Sequence, residues 1–268
     1  MSEVMASARR IGAMMLRHYY VLRGSWPRLM ELAYWPTMQM IIWGFMTQFL
    51  ATNSSWVAQA FGVLLAGVLL WDTLFRGQIG FALSFLEEMW ARNLGNLFVS
   101  PLRPYEHLLS MMMMSMIRTL IGVLPAALLA ILFYDYSIFS LGLPLVAFFL
   151  NLMMLSWAVG MVVIALILRF GLGAENAAWF VIFMIAPVSA VYYPVSVLPE
   201  WLQYVAWSLP STYVFEGMRA ILFTGHFDAS LFFGALALNI VYLAVGAVIY
   251  FYAFHRARER GALLQVGE

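Results

Sequence analysis

The chain alternates between long apolar runs and short polar interruptions, a pattern that predicts a bundle of membrane-spanning helices. A helix needs about 20 apolar residues to cross the roughly 30 Å hydrocarbon core of a bilayer. Backbone polar groups must be satisfied inside lipid, and the runs are too long and too uniformly apolar for barrel strands. The sequence therefore predicts an all-α integral membrane protein, a single domain over 1–268 with six transmembrane helices near residues 30–50, 57–83, 106–133, 142–168, 176–195 and 230–254.

An amphipathic polar interruption at 86–103 lies between the second and third apolar runs, within a loop predicted at 84–105. Taken as one helix, it has a broad apolar face and an opposite face that carries Glu88 and Arg92. These two residues stand four apart in the favourable acid-first order, so we expect them to pair. The segment is either a surface helix with a solvated charged face or a docking element for a soluble partner.

Composition excludes several classes of protein. With 64% hydrophobic and 10% charged residues, the chain is far from the roughly 25% charged content of soluble domains. It contains no cysteine, and all fourteen of its basic residues are arginine. A phosphate-binding loop of the Walker type needs a lysine on the β and γ phosphates, so any ATP used with this protein is expected to bind another polypeptide.

The distribution of arginine predicts the orientation in the membrane. Positive residues collect on the cytoplasmic side, so both termini and the 84–105 loop are predicted to be cytoplasmic. Eleven of the fourteen arginines fall on that side, namely Arg9, Arg10, Arg17, Arg23, Arg28, Arg92, Arg103, Arg169, Arg256, Arg258 and Arg260.

The first 28 residues form an amphipathic pattern without the compact apolar core and cleavage site of a signal peptide. One helical face is apolar and the other carries Arg9, Arg10 and Arg17. This predicts an interfacial helix on the cytoplasmic leaflet, with arginines near anionic lipid. A basic flank that only enforces topology is the compatible alternative.

A second departure from simple hydropathy lies at 196–229, which is apolar but interrupted by proline. Proline suits the first turn of a helix, so Pro199 and Pro210 are predicted to start two short helices. Each helix is too short to cross a bilayer, which predicts a re-entrant hairpin in the outer leaflet. Glu216 and Arg219 are three residues apart and are expected to pair within it.

Three charged residues fall inside predicted spans. Asp72 and Arg76 are four apart in the second span, which predicts an ion pair that is either structural or part of a transport pathway. Arg118 in the third span could meet Asp72 or Glu31 across helices, and the sequence does not choose between them.

These features together resemble the membrane subunit of the type-2 ATP-binding-cassette exporters. The resemblance rests on the cytoplasmic segment 86–103 and on the outer stretch PVSVLPEWLQYVAWSLPSTYVFEGMRAIL. That stretch has prolines, an acidic residue and a following arginine, here Pro194, Pro199, Pro210, Glu216 and Arg219. It implies a permease that works as a homodimer with two separate ATPase subunits, in a bacterial cytoplasmic (inner) membrane. ATP and magnesium would bind the partner, with no cofactor or metal on this chain and no nucleic acid as a partner.

The resemblance also implies which residues meet the ATPase subunit and what is carried. The loop between the second and third spans would be a coupling helix, with contacts at Glu87, Glu88, Trp90, Arg92, Asn93, Pro101 and Leu102. The expected cargo is amphiphilic, a lipid-linked polysaccharide or lipo-oligosaccharide first and a hydrophobic drug second. The alternative is an intramembrane transferase, for which the chain offers no G-x-S-x-G, H-E-x-x-H or clustered aspartates.

Overall fold

The protein is all-helical over the residues that the structure describes. The computed structural model describes residues 3–53 and 55–261, except for the side chains of residues 50–53, 55–61 and 98. The two ends of the chain, 1–2 and 262–268, which are predicted to be cytoplasmic, therefore lie outside that description, and so does the side chain of residue 98 on the amphipathic segment 86–103. Ten α-helices follow one another along the described chain: α1 Glu3–Arg23, α2 Trp26–Asn53, α3 Ser55–Trp90, α4 Leu94–Val99, α5 Pro104–Tyr134, α6 Leu143–Phe170, α7 Ala177–Ile185, α8 Glu200–Trp207, α9 Pro210–Thr224 and α10 Ala229–Glu259.

Among the described residues, four helical stretches are long and apolar enough to cross a membrane. They belong to α3, α5, α6 and α10, over Gly62–Trp90, Pro104–Tyr134, Leu143–Phe170 and Ala229–Glu259. The first predicted span corresponds to α2, which has 28 residues and includes the charged Arg28 and Glu31.

The prediction of a continuous fifth helix over 176–195 is wrong in its extent. The helix α7 has nine residues and ends at Ile185, and turns follow as far as Tyr193. Pro187 has no amide hydrogen with which to continue the helical ladder. Ala190 then takes a left-handed backbone conformation, with φ of 53°, which a right-handed helix cannot contain.

The helices α3 and α6 form the centre of the bundle, and α2, α5 and α10 pack around them. Gly246 brings α10 close to α6, because a Cβ there would lie 2.9 Å from the carbonyl oxygen of Ala158. The same helix pair shares a buried hydrogen bond of 2.9 Å from the amide nitrogen of Asn239 to Oδ1 of Asn151. Close backbone contact and a shared polar pair are typical of helices that associate within lipid.

The helices α3 and α5 pack through a reciprocal arrangement of arginine and glycine. Each carries the pattern R-x-x-x-G, as Arg76 and Gly80 on α3 and as Arg118 and Gly122 on α5. A Cβ at Gly122 would lie 3.0 Å from Cδ of Arg76, and one at Gly80 would lie 3.6 Å from Cδ of Arg118. Each glycine thus gives room for the arginine of the opposite helix. The two long cations pass between closely spaced helices because no side chain opposes them.

We expect Gly122→Ala and Gly80→Ala to differ in their effect on stability. A Cβ at Gly122 would also lie 2.7 Å from the backbone carbonyl oxygen of Leu32 on α2, whereas the contacts at Gly80 are ordinary. Overpacking of this kind costs about 1–3 kcal/mol, so Gly122→Ala should lower the thermal midpoint in detergent. Gly80→Ala, the matched control, should leave the midpoint unchanged or raise it, since alanine is the better helix former. Equal midpoints for both variants would contradict the asymmetry.

Candidate functional site

The N-terminal helix α1 is held on the bundle by arginine–glutamate pairs. Arg10 donates to both carboxylate oxygens of Glu106 on α5, at 2.6 and 2.8 Å. Arg17 does the same to Glu88 at the end of α3, at 2.7 and 2.9 Å. Glu106 also accepts a bond of 2.9 Å from the backbone N–H of Arg103, which satisfies a free donor at the start of α5. Two arginines predicted to face lipid or water therefore bind protein.

The ion pair between Arg17 and Glu88 also shifts the pKa of the Arg17 guanidinium. Its hydrogen bonds to Glu88 raise the pKa of Arg17 above its usual value, against a smaller opposing effect of burial. Bidentate pairs of this kind are among the stronger charge-assisted hydrogen bonds, since the planar guanidinium matches the carboxylate. The pair fixes α1 to the last turn of α3.

The segment after α3 is not the single helix predicted over 86–103. The helix α3 ends at Trp90, Arg92 has a left-handed φ of 54°, and α4 covers only Leu94–Val99. The predicted pair of Glu88 and Arg92 is absent, because the turn at Arg92 removes the helical spacing on which it depended. Glu88 instead binds Arg17 and accepts a bond of 2.8 Å from the side chain of Asn93. Residues 91–103 are called the 91–103 connection below.

The predicted contact residues for an ATPase subunit divide by exposure. Buried or nearly buried are Glu88, Leu102 and Glu87. Asn93 is half-buried, and the exposed members are Trp90, Arg92 and Pro101. Docking at this surface stays a prediction, and the exposed members are those that an incoming chain can reach without unfolding the connection.

A cavity of about 620 Å³ opens between α2, α3, α5 and α7, and we call it the side cavity. Its volume is within the range of 300–1,000 Å³ that is common for small-molecule sites. The walls combine aromatic, aliphatic and charged side chains. The aromatic members are Trp35, Phe75, Trp90, Trp179 and Phe183, and the charged members are Arg28, Glu31, Arg76, Glu87 and Arg118.

Glu87 organises the charges at one end of the side cavity. Its Oε2 accepts a bond of 2.7 Å from Arg118, and its Oε1 lies 3.5 Å from Arg28. The partner of Arg118 is therefore neither Asp72 nor Glu31, the two carboxylates weighed from the sequence. Arg118 is 3% exposed, so this pair accounts for a cation buried inside a predicted span.

Arg76 and Asp72 do not form the predicted ion pair. No carboxylate oxygen among the described residues lies within 4.0 Å of the Arg76 guanidinium, and Asp72 is 1% exposed with neither oxygen hydrogen-bonded. Helical spacing puts the two residues on one face, but Arg76 extends toward Gly122 on α5. The structure thus leaves the Arg76 charge at the cavity wall.

The segment from Tyr193 to Thr224 matches its local predictions. Two short helices begin where proline predicted them, α8 after Pro199 and α9 at Pro210. The predicted pair forms as well, with Arg219 Nη2 at 3.0 Å from Glu216 Oε1.

That pair also holds the chain that follows α7. Glu216 accepts a bond of 2.8 Å from the backbone N–H of Val195, the residue after Pro194. Arg219 donates to the carbonyl oxygen of Val191 at 3.4 Å. The acidic and basic residues of α9 therefore secure the irregular backbone of 191–195, whose polar groups need partners inside the protein.

Sequence reasoning missed four aromatic residues of the cavity walls. Trp35, Phe75, Trp179 and Phe183 come from three helices that are far apart along the chain, so no local spacing links them. The one usable signal was the repeated R-x-x-x-G pattern of α3 and α5, which marks the position where two cations lie between the helices.

We expect Glu88→Ala to release α1. The change removes both bonds to Arg17 and the bond from Asn93, at a cost of about 1–3 kcal/mol, because the Arg17 side chain is 39% exposed and can reach water. Hydrogen exchange of the α1 amides should rise at least tenfold. Arg92→Ala, at an exposed position of the same segment, is the control and should leave α1 exchange unchanged. If hydrogen exchange of α1 stays as slow in Glu88→Ala as in the wild-type chain, the pair of Arg17 and Glu88 is not needed to hold α1 on the bundle.

Acidification should weaken the docking of α1 through His18. This imidazole is fully buried, neither ring nitrogen has a hydrogen-bond partner among the described residues, and burial, followed by the charge of Arg118, lowers its pKa. The unfolded chain then binds this proton near pH 6.5 and the folded chain binds it only at a lower pH, so stability is lost as the pH falls below 6.5. Between pH 7.5 and 5.5 the loss should reach up to about 1.4 kcal/mol.

His18→Leu isolates this effect from other groups that titrate in the same range. The variant should show a smaller drop of thermal midpoint between pH 7.5 and 5.5 than the wild-type chain, measured in the same detergent. An identical drop in both proteins would exclude His18 as the cause.

Comparison with known proteins gives the family. The profile of the ABC-2 type transporter family matches residues 21–223, which contain α2 to α9 almost entirely, together with the side cavity and the 91–103 connection. No curated protein matches the sequence significantly. Because the family profile covers most of the chain, this protein belongs to the ABC-2 type transporter family, the membrane components of ATP-binding-cassette transporters.

Proposed function

We propose that the chain is the permease subunit of an ATP-driven exporter that takes an amphiphilic cargo from the cytoplasm or the inner leaflet. The observation that carries the proposal is the side cavity, whose walls combine aromatic rings with charged groups. A cargo with an apolar body and a polar group can satisfy both kinds of wall. A lipid-linked polysaccharide or lipo-oligosaccharide ranks first as the cargo, and a hydrophobic drug ranks second.

The energy would come from a separate ATPase subunit that binds ATP and magnesium. Family membership supports such a partner in general terms, and the missing lysine agrees with it. The docking surface is the exposed part of the 91–103 connection, together with α1. Because this connection joins α3 directly to α5, a force applied to it acts on two walls of the side cavity.

The proposed mechanism is a change of population between two states. Closure of the ATPase subunits around ATP would shift the 91–103 connection, and α3 and α5 would move with it as rigid helices. Nucleotide can drive this change only through contacts that differ between the states. The clamp formed by Arg17 and Glu88 would make α1 move with α3.

The proposed arrangement in the membrane has six crossings and cytoplasmic ends. The fifth crossing would combine α7 with the segment that leads to α8, and α8 and α9 would form the re-entrant hairpin in the outer leaflet. At about 1.5 Å per residue, the eight residues of α8 extend about 12 Å, which is too short to cross. Trp201 and Tyr204 on α8 are exposed, as suits aromatic residues at the headgroup level.

A second copy of the chain would complete the pathway, in a bacterial inner membrane. The rest of the chain leaves most of the apolar surface of α10 uncovered, so lipid or another subunit must cover this surface. The alternative of an intramembrane transferase gains no support from the family, since its members are transport components.

A charge reversal at the 91–103 connection tests the proposal. The full chain would be purified with the ATP-binding subunit that accompanies it, both would be reconstituted in liposomes, and ATPase activity would be measured with and without the permease. We expect Arg92→Glu to reduce the stimulated rate at least threefold, because Arg92 is exposed at the predicted contact. Glu200→Arg, a charge reversal on α8, is the matched control and should keep full stimulation.

Two outcomes would contradict the proposal. Full stimulation with Arg92→Glu would remove the 91–103 connection from the contact surface. Turnover of a lipid substrate by the permease alone, without ATP or a partner, would favour the transferase instead.

A further inference from the structure

We propose that the side cavity binds an anionic amphiphile and that Arg76 is the residue that pairs with its negatively charged group. The inference rests on the proposed function in treating the cavity as a site for cargo. It goes further by giving the sign of the cargo charge and the side chain that binds the charged group.

The charges of the cavity wall do not balance. Three arginines and two glutamates line it, and one glutamate serves two of the arginines, since Glu87 contacts both Arg118 and Arg28. Arg76 has neither an ion pair nor a hydrogen bond with any described residue, and its Nε is buried without a partner. The carboxylates of Asp72 and Glu31 attract it through space, at more than ion-pair distance.

The position of Arg76 makes an unpaired charge costly. It lies eleven residues before Glu87 in α3, which places it about 16 Å deeper along the helix axis, inside an apolar span. Cations at such depth are found in proteins where they meet a counter-charge or line a cavity with access to water. An anionic ligand would supply a counter-charge at contact distance, which neither Asp72 nor Glu31 provides.

The geometry around Arg76 favours a fixed receptor for an anion. Its Cδ lies against Gly122 of α5, where a Cβ would come within 3.0 Å, so the side chain is confined between two helices. A guanidinium presents donors in a planar fork that matches phosphate, sulfate or carboxylate oxygens in pairs. Confinement lowers the conformational entropy that binding would otherwise have to remove.

The remaining walls favour an apolar body next to the anionic group. Phe75 precedes Arg76 on α3, and the centres of its ring and that of Phe183 on α7 lie 5.6 Å apart. The ring centre of Trp179 on α7 lies 5.7 Å from that of Phe75. Trp35 of α2 lines the cavity as well. These rings would pack against an acyl chain or a ring system. A free inorganic anion would leave this surface uncovered.

Binding to the full-length chain in phosphatidylcholine nanodiscs tests the inference without ATP or a partner. The probes are radiolabelled lysophosphatidate and lysophosphatidylcholine of the same acyl chain, with inorganic phosphate as a competitor. We expect the wild-type chain to bind lysophosphatidate at least tenfold more tightly than lysophosphatidylcholine, and millimolar phosphate to displace little of it. Displacement by phosphate at the same concentration as lysophosphatidate would point to a free anion and overturn the amphiphile.

Two variants assign the preference to Arg76. Arg76→Gln should lower lysophosphatidate affinity at least tenfold and leave lysophosphatidylcholine unchanged. Gln39→Glu adds a negative charge to the same wall without removing the arginine, and it should lower lysophosphatidate affinity in the same direction. Arg256→Gln, at an exposed site on α10 outside the cavity, is the control and should retain wild-type affinities.

The outcomes separate this inference from the proposed function. Equal affinity of the wild-type chain for both lysolipids, or an unchanged preference in both Arg76→Gln and Gln39→Glu, would overturn the anionic site. Should Arg76→Gln lose its thermal unfolding transition, Gln39→Glu alone decides. A chain that shows the preference but never stimulates an ATPase would keep the site and contradict the exporter.

Discussion

The need to accommodate two arginines between apolar helices shapes the centre of this protein. A guanidinium cannot be left against hydrocarbon, and a long side chain cannot pass between closely packed helices unless the facing position is small. The structure meets both conditions through the reciprocal contacts of Arg76 with Gly122 and of Arg118 with Gly80. The relative position of α3 and α5 follows from these contacts, and so does the wall of the side cavity.

A second set of arginines fixes the helix ends that carry the predicted docking surface. Arg10 and Arg17 of α1 bind the first turn of α5 and the last turn of α3, the two helix ends that the 91–103 connection joins. The glutamates of these pairs are almost fully buried, so the pairs lie partly out of solvent, where charge-assisted bonds are stronger than at the surface. The connection is therefore supported on both sides, although its own backbone is irregular.

The features predictable from the sequence were those set by neighbours along the chain. The starts of α8 and α9 follow from proline chemistry, and the pair of Glu216 and Arg219 follows from helical spacing. Apolar run length predicted the long helices of α3, α5, α6 and α10 in the same way. The family resemblance also rested on short stretches of sequence, and the region that the family profile matches contains both of them.

The features that escaped prediction depend on residues far apart in sequence. Glu87 meets Arg118 across 31 positions and Glu88 meets Arg17 across 71, and no local pattern distinguishes these partners from nearer ones. Helical spacing proposed Arg92 for Glu88 and Asp72 for Arg76, and tertiary contacts prevailed in both cases. The end of α7 escaped because an apolar run continues through Pro187 into turns of equal hydrophobicity.

The two contacts of the shared Glu87 carboxylate, with Arg118 and with Arg28, differ in strength. Its bond to Arg118 of α5 is 2.7 Å long, whereas its contact with Arg28 of α2 is 3.5 Å and more exposed to water. Screened contacts at longer distance contribute less, so separation of the walls breaks the α2 contact before the α5 contact. At this carboxylate, Arg118 of α5 is therefore held more firmly than Arg28 of α2.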